Sequence, residues 1–312
     1  MTQKHPTLGV AFALIAAILF GMNASATKVI IQSGLSTEQV VIVRSFCAFL
    51  IALIWAITAN RNNFRFPLKL LPVIILMGVV GSGMLQWTYS IAVVRLPIGI
   101  ALLIEYTAVL WVPLIALVFF KEKVKRQIWF GAVLVLGGLA VVGEVWASTL
   151  DPIGVLFAFG AAISLTTYFI TGERVQRTLP TNVTMVYAMG ISTMLFLPFA
   201  GLGDFDFARL QEPQNLMGNL SGFDWPLWLA LLWLGIMGGF MPMMFSFLAL
   251  RHLSATIVGV IATSETVLAF LFALLWLNEV ISLTQALGGM VVVAGILLAQ
   301  TARKQTYAKV VD

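Results

Sequence analysis

The chain has 312 residues, of which 60% are hydrophobic and only 10% charged, where an ordinary soluble domain carries roughly 25% charged residues. This excludes a water-soluble enzyme or nucleic-acid binder: the net charge of +5 is spread over short segments between apolar runs, with no basic helix or aromatic platform to dock a strand. The single cysteine, Cys47, can form no intrachain disulfide, and His5 and His252 are the only histidines, so metal clusters, cofactors and histidine-based catalysis are poorly supplied.

From the N-terminus, Met1 to Pro6 carries a single Lys4 and no small-residue cleavage pattern, so the first span is expected to be retained rather than removed as a signal peptide. About twenty apolar residues cross the hydrocarbon core of a bilayer, and turn and charge punctuation then predicts ten spans. They are Leu8 to Ile31, Gln39 to Thr58, Leu70 to Val93, Pro97 to Phe119, Ile128 to Trp146, Ile153 to Thr171, Val183 to Leu202, Pro226 to Leu250, Ala255 to Leu277 and Leu283 to Ala302. Alternate loops collect Lys4; Arg61, Arg65 and Lys69; Lys121, Lys123, Lys125 and Arg126; Arg174 and Arg177; Arg251; and Arg303, Lys304 and Lys309. The other side keeps Arg95 and Arg209, with Lys28 at a span end. The positive-inside rule therefore places both termini in the cytoplasm of a multi-pass protein of the bacterial inner membrane. The longest loop, Gly203 to Trp225, lies outside and is expected to hold a short surface helix.

The sequence repeats itself at an offset of 157: Gly78, Gly81, Met84, Ala92, Leu96, Glu122, Gly131 and Gly138 recur as Gly235, Gly238, Met241, Ala249, Leu253, Glu279, Gly288 and Gly295. At an offset of 145, Gly9, Phe12, Ala13, Ala16 and Ala17 recur as Gly154, Phe157, Ala158, Ala161 and Ala162. Each repeat holds five spans, an odd number, so the second crosses the membrane in the opposite sense. The expected fold is all-α integral membrane, ten transmembrane helices in two inverted five-helix repeats, residues 1–150 and 151–312. Gly131, Gly138, Gly288, Gly289 and Gly295 fit close helix packing. Gly238-Gly239-Phe240-Met241-Pro242 fits a static kink or a gating hinge.

Ionisable residues inside spans are costly and are functional candidates by default. Arg44 and Glu105 each lie about two turns from the outer surface and so share a depth, whereas Glu265 lies near the midplane. Arg44 suits a substrate carboxylate, Glu105 an ammonium group or a coupling proton, and Glu265 a coupling proton. The competing expectation is a structural Arg44–Glu105 ion pair or an arginine that snorkels to the surface, with Glu265 a neutral acid bonded to a neighbouring helix. Asn23, Gln86, Trp87, Ser90, Tyr106, Trp111 and Tyr168 concentrate in the first, third, fourth and sixth spans and complete a candidate pocket.

Tyr89-Ser90-Ile91-Ala92, Leu96-Pro97-Ile98-Gly99-Ile100-Ala101, Ile104-Glu105-Tyr106-Thr107-Ala108 and Ser264-Glu265-Thr266 up to Glu279 resemble the EamA-type branch of the drug/metabolite transporter superfamily over essentially the whole chain. The fourth-span segment is most similar to bacterial threonine/homoserine exporters. Where that family has prolines after the ninth-span glutamate and at the matching place of the fourth span, Thr266 and Val109 stand here, so the local kinks are expected to differ. The resemblance implies a secondary transporter that exports amino acids or similar zwitterionic metabolites across the lipid bilayer by alternating access, proton-linked or facilitative. Exporters of other metabolites or drugs, such as nucleobases or organic cations, and a channel-like permease remain open at this level. A channel would want a continuous polar ring, and an intramembrane enzyme a nucleophile and base at matching depth.

Overall fold

The computed structural model describes residues 5–31, 33–59, 68–96, 98–121, 124–142, 144, 146, 150–201, 207–278 and 282–311. Lys4, Arg61, Arg65, Pro97, Glu122, Lys123 and Glu279, and the side chains of Lys28, Arg303, Lys304 and Lys309, lie outside this description.

Ten apolar helices make up the molecule: α1 (Pro6–Ile31), α2 (Thr37–Ala59), α3 (Leu68–Arg95), α4 (Ile100–Val118), α5 (Arg126–Val142), α6 (Pro152–Gln176), α7 (Thr181–Phe199), α8 (Leu227–His252), α9 (Ala255–Leu277) and α10 (Leu283–Val311). Eight of them hold 19 to 28 residues each, which at 1.5 Å per residue spans a hydrocarbon core of about 30 Å. The other two have shorter apolar stretches, all 17 residues of α5 and Leu283–Ala299 of α10. Large apolar side chains point outward, among them Phe119, Leu156, Ile163 and Met194, each more than 60% exposed. In water such a surface would aggregate; against lipid tails it is at home.

The repeats interlock. α1 lies along α8 and α9, and in the same pattern α6 lies along α3 and α4; α2 packs on α7 and α8, and α7 on α2 and α3. α5 and α10 pair with each other through glycines. A methyl group on Gly131 would come within 2.7 Å of the Gly295 carbonyl oxygen, and one on Gly138 within 2.8 Å of the Gly288 carbonyl oxygen. Gly288 and Gly295 are the repeat partners of Gly131 and Gly138, so each contact is the image of the other, as an approximate two-fold axis requires. Gly289 differs from its neighbours, meeting only Val267 at ordinary contact distance, 3.7 Å.

Helix irregularities obey the same symmetry. Met77–Met84 in α3 and Leu234–Phe240 in α8 are wide π-type turns at matching repeat positions. α4 breaks at Tyr106 and Thr107, and α9 at Thr263, again equivalent positions. The breaks form without the prolines of the family pattern: Val109 N–H bonds the Tyr106 carbonyl at 2.9 Å and Thr266 N–H the Thr263 carbonyl at 3.2 Å, both tightened turns. The fourth and ninth spans are therefore each two half-helices.

Among its described residues the long loop meets the expected short helix only in 3-10 form, with no α-helix. It forms 3-10 turns at Phe207–Gln211 and Gly218–Leu220 and an antiparallel ribbon, β1 (Pro213–Asn215) with β2 (Asp224–Pro226). Arg209 donates to the Ser33 carbonyl at the α1–α2 turn, and Trp276 Nε1 at the end of α9 donates to the Leu216 carbonyl at 2.9 Å.

Candidate functional site

α1, α2, α3 and α4 of the first repeat and α6, α8 and α9 of the second surround one cavity. Asn23, Arg44, Gln86, Glu105, Tyr106, Tyr168 and Glu265, all candidates from the sequence, line it. The break in α4 places Glu105 at the end of one half-helix, and the break in α9 places Glu265 in the first turn of the other.

Arg44 is 3% exposed. Its Nη2 donates to the Gly238 carbonyl oxygen at 3.1 Å, inside the π-type turn of α8, while its Nε and Nη1 are buried without a hydrogen-bond partner. Gly239 lets the two backbones meet there, since a methyl on it would come within 2.5 Å of the Arg44 carbonyl oxygen. Among the described residues no carboxylate lies in ion-pair range of Arg44; ion pairs form at Arg95–Asp151 and Arg177–Glu173 near helix ends and at Arg209–Glu212 in the long loop. The guanidinium is thus neither in a structural pair with Glu105 nor snorkelled to the surface.

Glu105 is also buried, with Oε2 unpartnered. Glu265 has a partner in the other repeat: Tyr106 Oη donates to its Oε2 at 2.6 Å. Leaving buried polar atoms unsatisfied costs about 1–3 kcal/mol each, more for charged groups. A cavity that keeps three such atoms on ionisable groups is poorly explained as a stabilising core and well suited to a polar ligand.

The structure does not bring every candidate to the cavity. Trp87 Nε1 donates to Glu38 Oε1 at 2.8 Å, and its ring meets Phe157 edge-on at 5.4 Å, away from the lining. Ser90 is buried but bonds back to the Gln86 carbonyl of its own helix at 2.7 Å. Trp111 is 48% exposed on the outside of α4. Conversely, Phe20, Tyr89, Phe169 and Ser246 line the cavity without having been singled out as candidates. Phe20 lies three residues before Asn23 and Tyr89 three after Gln86, so projecting each candidate one helical turn along its face would have found both.

A membrane protein of ten helices in two interlocked inverted repeats, with a charged cavity between them and broken helices at its wall, has the architecture of a small-molecule carrier. The model of the EamA-like transporter family matches the chain twice, over residues 7–143 and 152–301. The chain belongs to the EamA-like transporter family, and it is a transporter rather than an enzyme. It is 25% identical over 272 residues, 84% of this chain and 81% of the relative, to the uncharacterized transporter YdfC of Bacillus subtilis (strain 168). It is 40% identical over 65 residues, 21% of this chain and 55% of the relative, to the probable 4-amino-4-deoxy-L-arabinose-phosphoundecaprenol flippase subunit ArnE of Pseudomonas fluorescens (strain Pf0-1). One crystal structure superposes over 97% of this chain and 99% of its own with a TM-score of 0.74 at 18% identity, a likeness of fold. Neither relative is named as a threonine or homoserine exporter.

Proposed function

We propose that the protein is a secondary active transporter that exports amino acids or related zwitterionic metabolites across the bacterial inner membrane by alternating access, its two repeats divided near residue 150. The observation that carries this reading is the pairing, in one cavity, of a buried guanidinium with two unpartnered nitrogens and a buried carboxylate with an unpartnered oxygen. A substrate carboxylate complements Arg44, and its ammonium group complements Glu105. Apolar walls from Phe20, Leu165, Phe169 and Met243 leave the substrate's remaining part in contact with hydrocarbon surface. In this reading Asn23, Gln86, Tyr106 and Tyr168 orient the ligand, Trp87, Ser90 and Trp111 act from outside the cavity, and Glu265 carries a coupling proton released and regained through its contact with Tyr106.

A second reading, transport of organic cations, is favoured by the excess of acidic over basic groups on the lining, Glu105 and Glu265 against Arg44. Counterflow in reconstituted vesicles, against a panel of amino acids, nucleobases and organic cations and with and without a pH gradient, separates the two. The proposal expects exchange of zwitterions that is lost when the substrate's carboxylate is amidated. Exchange confined to cations lacking a carboxylate would replace it with the second reading.

A further inference from the structure

On α6 the cavity layer consists of Leu165, Tyr168 and Phe169. One turn further, toward Arg174 and Arg177, Gly172 meets α8 so closely that a methyl on it would come within 2.8 Å of Leu250 Cδ1. The next residue, Glu173, uses both carboxylate oxygens. Oε1 accepts from Arg177 Nη2 at 2.6 Å, and Oε2 accepts from the backbone N–H of Ala255 at 2.7 Å.

Ala255 opens α9, and the side chain of its N-cap residue, Ser254, makes no capping bond. A helix start presents unpaired N–H groups and the positive end of the helix dipole, so a carboxylate from another helix serves as the cap. That carboxylate comes from the opposite wall. α6 packs mainly with α3 and α4 and the α8–α9 connection mainly with α1, the cavity lies between these groups, and at this end α6 also meets α8 and α9 directly. The bond therefore ties the two walls together at one end of the cavity.

The other end has a different sequence. At the offset of 145 Lys28 occupies the place of Glu173, and at the offset of 157 Ile98 occupies the place of Ala255. An ammonium group only donates, and like the helix start it is positive, so lysine cannot take the capping role.

We propose that Glu173 is a latch that holds the cytoplasmic end of the cavity shut, and that it works at this end alone, so that the unloaded transporter rests facing outward. The proposal rests on the alternating-access and orientation readings given above, but not on the identity of the substrate. Opening inward requires the Glu173–Ala255 bond to break, whereas opening outward requires no equivalent step.

Electron–electron distance measurements between spin labels at Thr178→Cys and Arg251→Cys, in a Cys47→Ala background in lipid nanodiscs without substrate, test it. Glu173→Ala should raise the ratio of long to short distances about tenfold, the effect of losing a charge-assisted hydrogen bond of roughly 1.4 kcal/mol. Glu173→Gln keeps an acceptor but no charge and should fall between. Ser254→Asp gives α9 a cap of its own while Glu173 remains in place, and should open the same end even if Glu173→Ala fails to fold. Unchanged distances in the folded variants overturn the latch. An impermeant thiol reagent separates this from a failure of orientation: reaction at Thr178→Cys in intact cells overturns the cytoplasmic placement, and reaction only after permeabilisation supports it. Failure of the amino-acid panel leaves these outcomes unaffected.

Discussion

Arg44 holds one hydrogen bond to the Gly238 carbonyl and keeps two buried nitrogens unpaired. Were it a structural group, removing it would release that unpaired charge and leave abundance or stability changed while transport followed passively. The expected outcome is the reverse: Arg44→Ala and Glu105→Ala each abolish counterflow while the detergent-extracted protein keeps its wild-type elution profile. Normal transport by either variant removes that residue from the site. Glu265 bonds Tyr106 of the other repeat, so Glu265→Gln, which keeps shape and polarity without a titratable proton, separates binding from coupling. It should exchange substrate across the membrane yet fail to accumulate it when a pH difference is imposed. Full pH-driven accumulation in that variant would show that the carboxyl serves only as a hydrogen-bond acceptor. The candidacy of Arg44, Glu105 and Glu265 was legible from charge within apolar runs alone. Their partners were not, because a backbone carbonyl 194 residues away and a phenol 159 residues away leave no mark on the local pattern.

At the scale of elements, α5 and the apolar part of α10 are the shortest apolar stretches and meet through Gly131, Gly138, Gly288 and Gly295. In lipid there is no hydrophobic drive between helices, so close packing of backbones supplies their association. A side chain at Gly138 would collide with the Gly288 carbonyl and with Val292 backbone and side-chain atoms at 2.8 Å, while the adjacent Gly137 faces open space. Gly138→Leu should therefore lose folded protein or lower its melting temperature, by the equivalent of at least about 1–3 kcal/mol for overpacking. Gly137→Leu should melt with the wild type in the same fluorescence-detected size-exclusion assay. Equal melting of the two variants would mean that the α5–α10 seam does not constrain the fold. Sequence periodicity identified these glycines as packing residues, but Gly289 shared their type without sharing the contact. The π-type turn in α8 overlaps the Gly238 to Pro242 segment whose residues marked a kink or hinge, whereas its partner in α3 and the breaks in α4 and α9 carry no comparable local mark. Both π-type turns are rich in glycine, and the breaks are tightened turns at Tyr106–Thr107 and Thr263.

For the whole molecule, the interlocking of the repeats makes each wall of the cavity a composite of both halves, so neither half holds a complete site. The inverted arrangement also carries an orientation. Both termini, the Lys121 to Arg126 connection and the Arg174 to Arg177 connection should face the cytoplasm, and the β1–β2 ribbon should face outward. Gln214→Cys in a Cys47→Ala background is expected to react with an impermeant thiol reagent in intact spheroplasts. Reaction only after the cytoplasmic face is opened would reverse the orientation and, with it, the side on which Glu173 acts.

Hydropathy, charge and internal similarity are properties each residue carries with it, so the sequence by itself determined a bilayer protein, ten spans, a five-plus-five inverted repeat and the few ionisable groups placed among apolar ones. The rotation of each helix about its axis is different, because it is decided by how neighbouring helices fit. Only the tertiary structure could turn Tyr89 and Phe20 toward the cavity and Trp111 away from it, free the Gly238 carbonyl for Arg44 through a wide turn, and set Glu173 on the start of α9.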